Sequence, residues 1–285
     1  MTVLATTPTW RVAVTIGAMA VCEIACVIHA DTAAAADYIA IPPGSLASVL
    51  ANDAAPGATN IEAFSIRATP VTTSEYLGFV KSHREWQRGQ APAVFADASY
   101  LNTWRSPTLP ADASQRQQPV TSVSWFAAQA FCENEGARLP TWLEWEYIAA
   151  ADETKTDARS DPAWRARILS WYSQSSGKPP AAVGGVANVY GVRDVHSLIW
   201  EWVDDFNALL VSADSRNQGD PDKLQFCGAG AISLKDRDNY AVLMRIALLS
   251  SLNAADTTNN LGFRCARGGA AKISPATIPN GKNKP

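Results

Sequence analysis

The sequence predicts one mixed domain in which short helices and short strands alternate with long irregular stretches. Three observations carry that reading. The chain has 285 residues, 47% of them apolar, and no long internal repeat, so it can bury a large core. Helix-start signals occur in separate short segments, each with its own cap, and Pro, Gly and Ser punctuate the text between them. The net charge of −3, with Lys and Arg scattered, leaves no basic stripe for nucleic acid. Ten tryptophans, most of them between Trp86 and Trp202, would build a core or line a pocket, and core is the commoner role.

In chain order, Arg11 precedes an apolar run from Val12 to Val21, and small residues with an A-x-A pattern follow up to Ala36. That is the layout of a secretory signal over residues 1–36, although Cys22 and Glu23 interrupt it. Export would place a soluble mature chain in the periplasm, and no other stretch reaches the apolar length of a membrane span. It would also leave Cys132, Cys227 and Cys265 in an oxidising compartment. Three thiols allow one disulfide and one free cysteine, and spacing alone does not choose the pair.

Residues 37–60 hold "YIAIP" and "ASVLAN", which read as strands between turns. Thr72 and Glu75 stand at capping-box spacing before Tyr76, Phe79 and Val80, which predicts a helix over about residues 74–81. Residues 83–118 read as an irregular segment pinned by Trp86, Phe95, Tyr100 and Trp104. "SVSWFAAQAFCENEG" has helical periodicity and ends at Gly136. Thr141 and Glu144 form a second capping box that opens "WLEWEYIAAA", and the short link predicts an antiparallel pair of helices. Residues 152–180 read as a polar surface insertion with one or two helical turns around "WRARILSWY". "ANVYGVRDVHSLIWEWVDDF" reads as strand and turn, and residues 269–285 as a frayed tail.

Set in order, "PVTTSEYLGFV", "QPVTSVSWFAAQAFCENEGARLPTWLEWEYIAAA", "NVYGVRDVHSLIWEWVDDF" and "NLGFRCA" resemble the formylglycine-generating enzyme family, the sulfatase-modifying factors. The resemblance covers most of residues 37–268, the expected domain. It implies an α+β architecture, a C-type-lectin-like variant with little regular secondary structure. It also implies a disulfide between Cys132 and Cys265, which leaves Cys227 as a free thiol, either buried or reactive.

The chemistry departs from the family. Its copper-binding cysteines would fall, counting back from Leu261, at Ala241 and Ile246, and neither side chain donates electrons to a metal. Sulfatase activation by the copper mechanism is therefore not expected. The histidine cluster of the family's iron-dependent sulfoxide synthases is not expected either, because beyond residue 36 only His83 and His196 occur. No nucleotide or flavin motif is present. "FCGAGAISLKDRDNYAVLMRIALLSSL" is similar to an exported branch that includes pyoverdine-maturation proteins and proteins accompanying copper nitrite reductases.

That resemblance implies a peptide-like small molecule or a periplasmic protein as partner. The family's calcium site would fall on the Glu201 carboxylate and the carbonyls of Ser197 and Ile199, although Ser197 and Leu198 replace its usual Gly-Asn; Glu201 would otherwise cap amides or pair with an arginine. Asp238, Tyr240 and Arg245 lie beside the former cysteine positions, with Tyr240 as proton donor and Arg245 as anion anchor, or both as packing groups. His196 would be a general base or a structural histidine. Arg264 is expected to form a structural pair.

Overall fold

The computed structural model describes residues 36–47, 59–173, 178–208 and 240–269. Within them the architecture is a mixture of small sheets and short helices joined by long turns, as expected. Strand β1 (Tyr38–Ile41) pairs antiparallel with β4 (Phe64–Arg67), and β4 pairs antiparallel with β7 (Ala266–Gly268). The first and last described strands thus flank the same central strand. A second hairpin-like pair joins β2 (Gly44–Leu46) to β3 (Thr59–Ile61). "ASVLAN" lies beyond that strand, and most of it falls outside the described residues.

The third pair is parallel and sets up the site. It runs from β5 (Trp200–Glu201) to β6 (Leu261–Gly262), so the WEW and NLGFR segments meet in register, Trp200 against Leu261 and Glu201 against Gly262. The approach is close enough to require glycine. A Cβ on Gly262 would lie 2.3 Å from the Val120 carbonyl oxygen.

Helix α1 (Thr73–Ser82) and helix α3 (Trp142–Ala149) each begin with a complete capping box. Thr72 accepts from the Glu75 amide while Glu75 accepts from the Thr72 amide, and Thr141 and Glu144 repeat the arrangement. Helix α2 (Trp125–Asn134) starts at Ser124 and ends one residue before Gly136, whose φ of 64° lets the chain turn back. The short link predicts an antiparallel pair of α2 with α3. The two share few close contacts because Arg138, in the link, exchanges backbone hydrogen bonds with Ala266 and pulls the turn towards β7.

The region after α3 also differs from expectation. Helix α4 (Pro162–Tyr172) has 11 residues, three turns rather than one or two. Asp161 caps it and Pro162 opens its first turn, while Trp164 and Ile168 bury one face against Ala158. The apolar face was hidden in a segment that also carries Arg165, Arg167 and Ser170. Helix α5 (Tyr240–Ser250) packs against α4 and places Val242, Arg245, Ile246 and Leu249 inside.

The main core joins Tyr76 and Phe79 of α1 to Phe131 and Phe263, with Trp142 and Trp202 fully enclosed. Residues 83–118 are irregular, anchored by buried Tyr100 and Trp104, whereas Phe95 is 40% exposed. The tryptophans therefore divide between core and surface, and Trp171 and Trp200 are partly exposed. Among the described residues no helix is long and apolar enough to cross a membrane.

A disulfide joins Cys132 of α2 to Cys265 beside β7, across 133 residues, with both cysteines fully buried. Closing a loop of that length restricts the unfolded chain. Replacing both cysteines by alanine should lower stability by about 4 to 5 kcal/mol with the folded topology retained, as measured by denaturant unfolding.

Candidate functional site

The parallel β5–β6 pair, with Glu201 opposite Gly262, brings the Glu201 carboxylate within reach of Arg264, and both side chains are sealed from solvent. Arg264 Nε donates to Glu201 Oε2 at 2.7 Å, and a terminal nitrogen donates to Oε1 at 2.8 Å. The remaining guanidinium donors reach the carbonyls of Arg67, Ala68 and Arg193. Trp145 Nε1 donates to Glu201 Oε2 at 2.9 Å. Such a pair adds little net stability over an apolar substitute. Removing one partner strands the other charge and costs about 3–5 kcal/mol.

This arrangement does not fit the calcium ligand set expected at Glu201, Ser197 and Ile199. Both carboxylate oxygens already face a guanidinium, so a cation placed there would meet a like charge. Among the described residues no three acidic, histidine or cysteine side chains converge as metal ligands.

A second buried pair lies on the other side of Trp145. Arg245 of α5 donates through Nε to Glu146 Oε1 at 2.8 Å and again through a terminal nitrogen to the same oxygen. Its other terminal nitrogen donates to the Tyr172 hydroxyl at the end of α4. The guanidinium lies 4.6 Å from the Trp145 ring centroid. The nearby Glu146 carboxylate holds it firmly protonated although burial alone would act the other way. Arg245, expected as an anchor for a ligand's charge, is instead a strut joining three helices. The space beside it and Ala241 is only about 10 Å³, room for one water at most.

The other expected residues divide as follows. Ala241 packs against the Trp164 cluster, and Ile246 is buried in the main core, so hydrocarbon fills both positions at which the copper cysteines were expected. Tyr240 is 38% exposed at the start of α5. Asp238 and Cys227 lie outside the described residues. His196 is enclosed edge-on between Trp145 and Trp164, one ring nitrogen is 2.7 Å from the Ala149 carbonyl oxygen, and the other is buried without a partner. Burial, reinforced by the Arg245 charge, depresses its pKa to about 3. A ring so placed is neutral at pH 7, with one nitrogen spent on a backbone carbonyl and the other buried, which suits packing better than general-base work.

The open space lies on the far side of Tyr172. A cleft of about 590 Å³ is bounded by Trp171 and Tyr172 from α4, Lys178, Trp200 from β5, and Asn259 and Asn260 just before β6. The Tyr172 and Trp200 rings are parallel, 4.7 Å apart with an interplanar angle of 8°, and Trp171 leans on Trp200 at 5.4 Å. Sequence reasoning missed this group because it assigned Trp171 and Tyr172 to a surface insertion. The adjacent Trp-Tyr pair on an otherwise polar helix was the signal that would have found it.

With this geometry in place, the family model for the sulfatase-modifying factor enzyme 1-like domain matches residues 25–268. The chain belongs to that family. The match starts upstream of the boundary expected after residue 36 and ends where β7 ends. Among characterised sulfatase-modifying-factor relatives, the formylglycine-generating enzyme of Streptomyces coelicolor is 29% identical over 247 residues, covering 71% of this chain and 77% of that protein. Hercynine oxygenase of Mycobacterium tuberculosis is 30% identical over 165 residues, covering 50% of this chain but only 38% of its own length. Two solved structures are similar: CarF, with a TM-score of 0.46 at 17% identity, and PvdO from Pseudomonas aeruginosa, with 0.41 at 15%. Each alignment covers 81% of this chain, with 98% of CarF and 93% of PvdO.

The buried imidazole gives this family member a defined pH response. The native pKa of His196 is depressed from an ordinary 6.5, so the unfolded chain binds the extra proton first. Stability from this group is complete above pH ~6.5 and declines as pH falls towards about 3. Between pH 7 and 4.5 the wild type should lose roughly 2 kcal/mol more than His196→Gln, read from denaturant unfolding at the two pH values.

Proposed function

We propose that this protein is an exported maturation factor of the formylglycine-generating-enzyme family that acts oxidatively on a peptide-like small molecule of the pyoverdine siderophore type. One observation carries the reading. A family member with Ala241 and Ile246 in place of the copper thiols keeps a 590 Å³ cleft walled by Trp171, Tyr172 and Trp200, suited to a flat, partly apolar molecule. The similarity to an oxygenase and to a formylglycine generator supports oxidation as the reaction type.

The step that fits is removal of two hydrogens from a dihydro-aromatic precursor. A new carbon–carbon double bond completes the aromatic ring, and the two electrons and two protons pass to dioxygen as hydrogen peroxide. The protein's part is to hold the precursor flat and limit its access to water. With His196 and Arg245 committed to internal hydrogen bonds, orientation in the cleft is the contribution that the described residues support.

The same commitment of His196 and Arg245 favours a second reading, a non-catalytic partner in the maturation of a periplasmic copper nitrite reductase. Incubating the purified protein with a dihydro-pyoverdine precursor in air separates the two. The oxidative reading expects chromophore formation above the protein-free rate, one hydrogen peroxide per product, and a roughly ten-fold lower kcat/KM for Trp200→Ala. A rate equal to the protein-free control, from a folded sample, rejects oxidation and leaves the partner reading.

A further inference from the structure

The cleft has a chemical polarity that goes beyond its shape. Among the described residues no aspartate or glutamate lines it. Its one charged wall residue is Lys178, which has no ion-pair partner among the described residues. Asn260 spends its side-chain oxygen on the Thr258 hydroxyl and its backbone carbonyl on the Trp200 amide, so its amide N–H groups stay unspent among the described residues. Beside the Ser197 hydroxyl and the Asn259 carboxamide, the polar side chains on offer are the Asn260 amide donors and the Lys178 cation, set around an aromatic face. Acceptor-rich, negatively charged ligands complement such a wall, and planar ones exploit the stack.

The face itself is fixed from behind. The Tyr172 ring lies parallel to Trp200, and its hydroxyl is gripped by Arg245, which is anchored in turn on Glu146 and Trp145. A ring held at both its face and its hydroxyl loses little freedom when a ligand arrives. Arg245 thus reaches the cleft without touching its contents.

We infer that the cleft binds a planar aromatic ring carrying an anionic substituent, stacked on the Trp200 face with its charge towards Lys178. Arg245, through the Tyr172 hydroxyl, is the positioning residue that keeps this face in place. The inference rests on the cleft being the small-molecule site proposed above, and it specifies what that site recognises.

Isothermal titration of the full folded chain with 2-naphthoate tests it, with cyclohexanecarboxylate matching the charge without the plane and 2-naphthol matching the plane without the carboxylate. 2-Naphthoate is expected to bind, and both controls to bind about ten-fold more weakly or not at all. Trp200→Ala and Lys178→Gln should each weaken 2-naphthoate about five- to ten-fold. Tyr172→Phe keeps the ring and removes only the hydroxyl, so the affinity of the folded variant should fall several-fold, while the Arg245 donor left unpaired lowers its melting temperature.

Equal affinity for 2-naphthoate and cyclohexanecarboxylate overturns the inference, as does wild-type affinity in Trp200→Ala or no 2-naphthoate binding by folded protein. Wild-type affinity in Tyr172→Phe overturns the positioning role. Binding of 2-naphthoate with no oxidation of the dihydro-pyoverdine precursor sinks the oxidative function and leaves this inference standing. Precursor oxidation at wild-type kcat/KM by Trp200→Ala does the reverse.

Discussion

Trp145 stands between two buried arginine–glutamate pairs, and the placement of the cleft depends on that arrangement. Its indole N–H donates to Glu201, which is locked to Arg264, and its ring face supports Arg245, which is locked to Glu146. Each ion has been taken out of water at a cost of several kcal/mol, so each must keep its partners in good geometry. The Arg264 pair ties β5 and β6 to the carbonyls that precede α1, at Arg67 and Ala68. The Arg245 pair ties α3, α4 and α5 together. Trp200 belongs to the first group and Tyr172 to the second, so their parallel stack is where the two meet.

A built-in cation, the Arg264 guanidinium, organises the WEW turn through Glu201. The surrounding backbone is read by the same guanidinium, since Arg264 also donates to the carbonyls of Arg67, Ala68 and Arg193.

What was legible in the sequence was local. Thr72 with Glu75 and Thr141 with Glu144 close within three residues, so their spacing alone marked two helix starts. Gly136 marked a helix end for the same reason. The join of Cys132 to Cys265 spans 133 residues and was legible only through the family resemblance. The strut of Arg245 on Glu146 spans 99 residues and has no motif, so the sequence left Arg245 open between an anion anchor and a packing group. The Tyr172–Trp200 cleft was hidden because it exists only once α4 docks, and the docking face amounts to Trp164 and Ile168 in a polar segment.

That ion pairs rather than metals hold the WEW turn and the cleft is tested most directly by elemental analysis of the purified chain, paired with thermal melting before and after chelation. An unchanged melting temperature, with neither calcium nor copper at one equivalent, is the expected result. Stoichiometric calcium or copper whose removal lowers the melting temperature would contradict it.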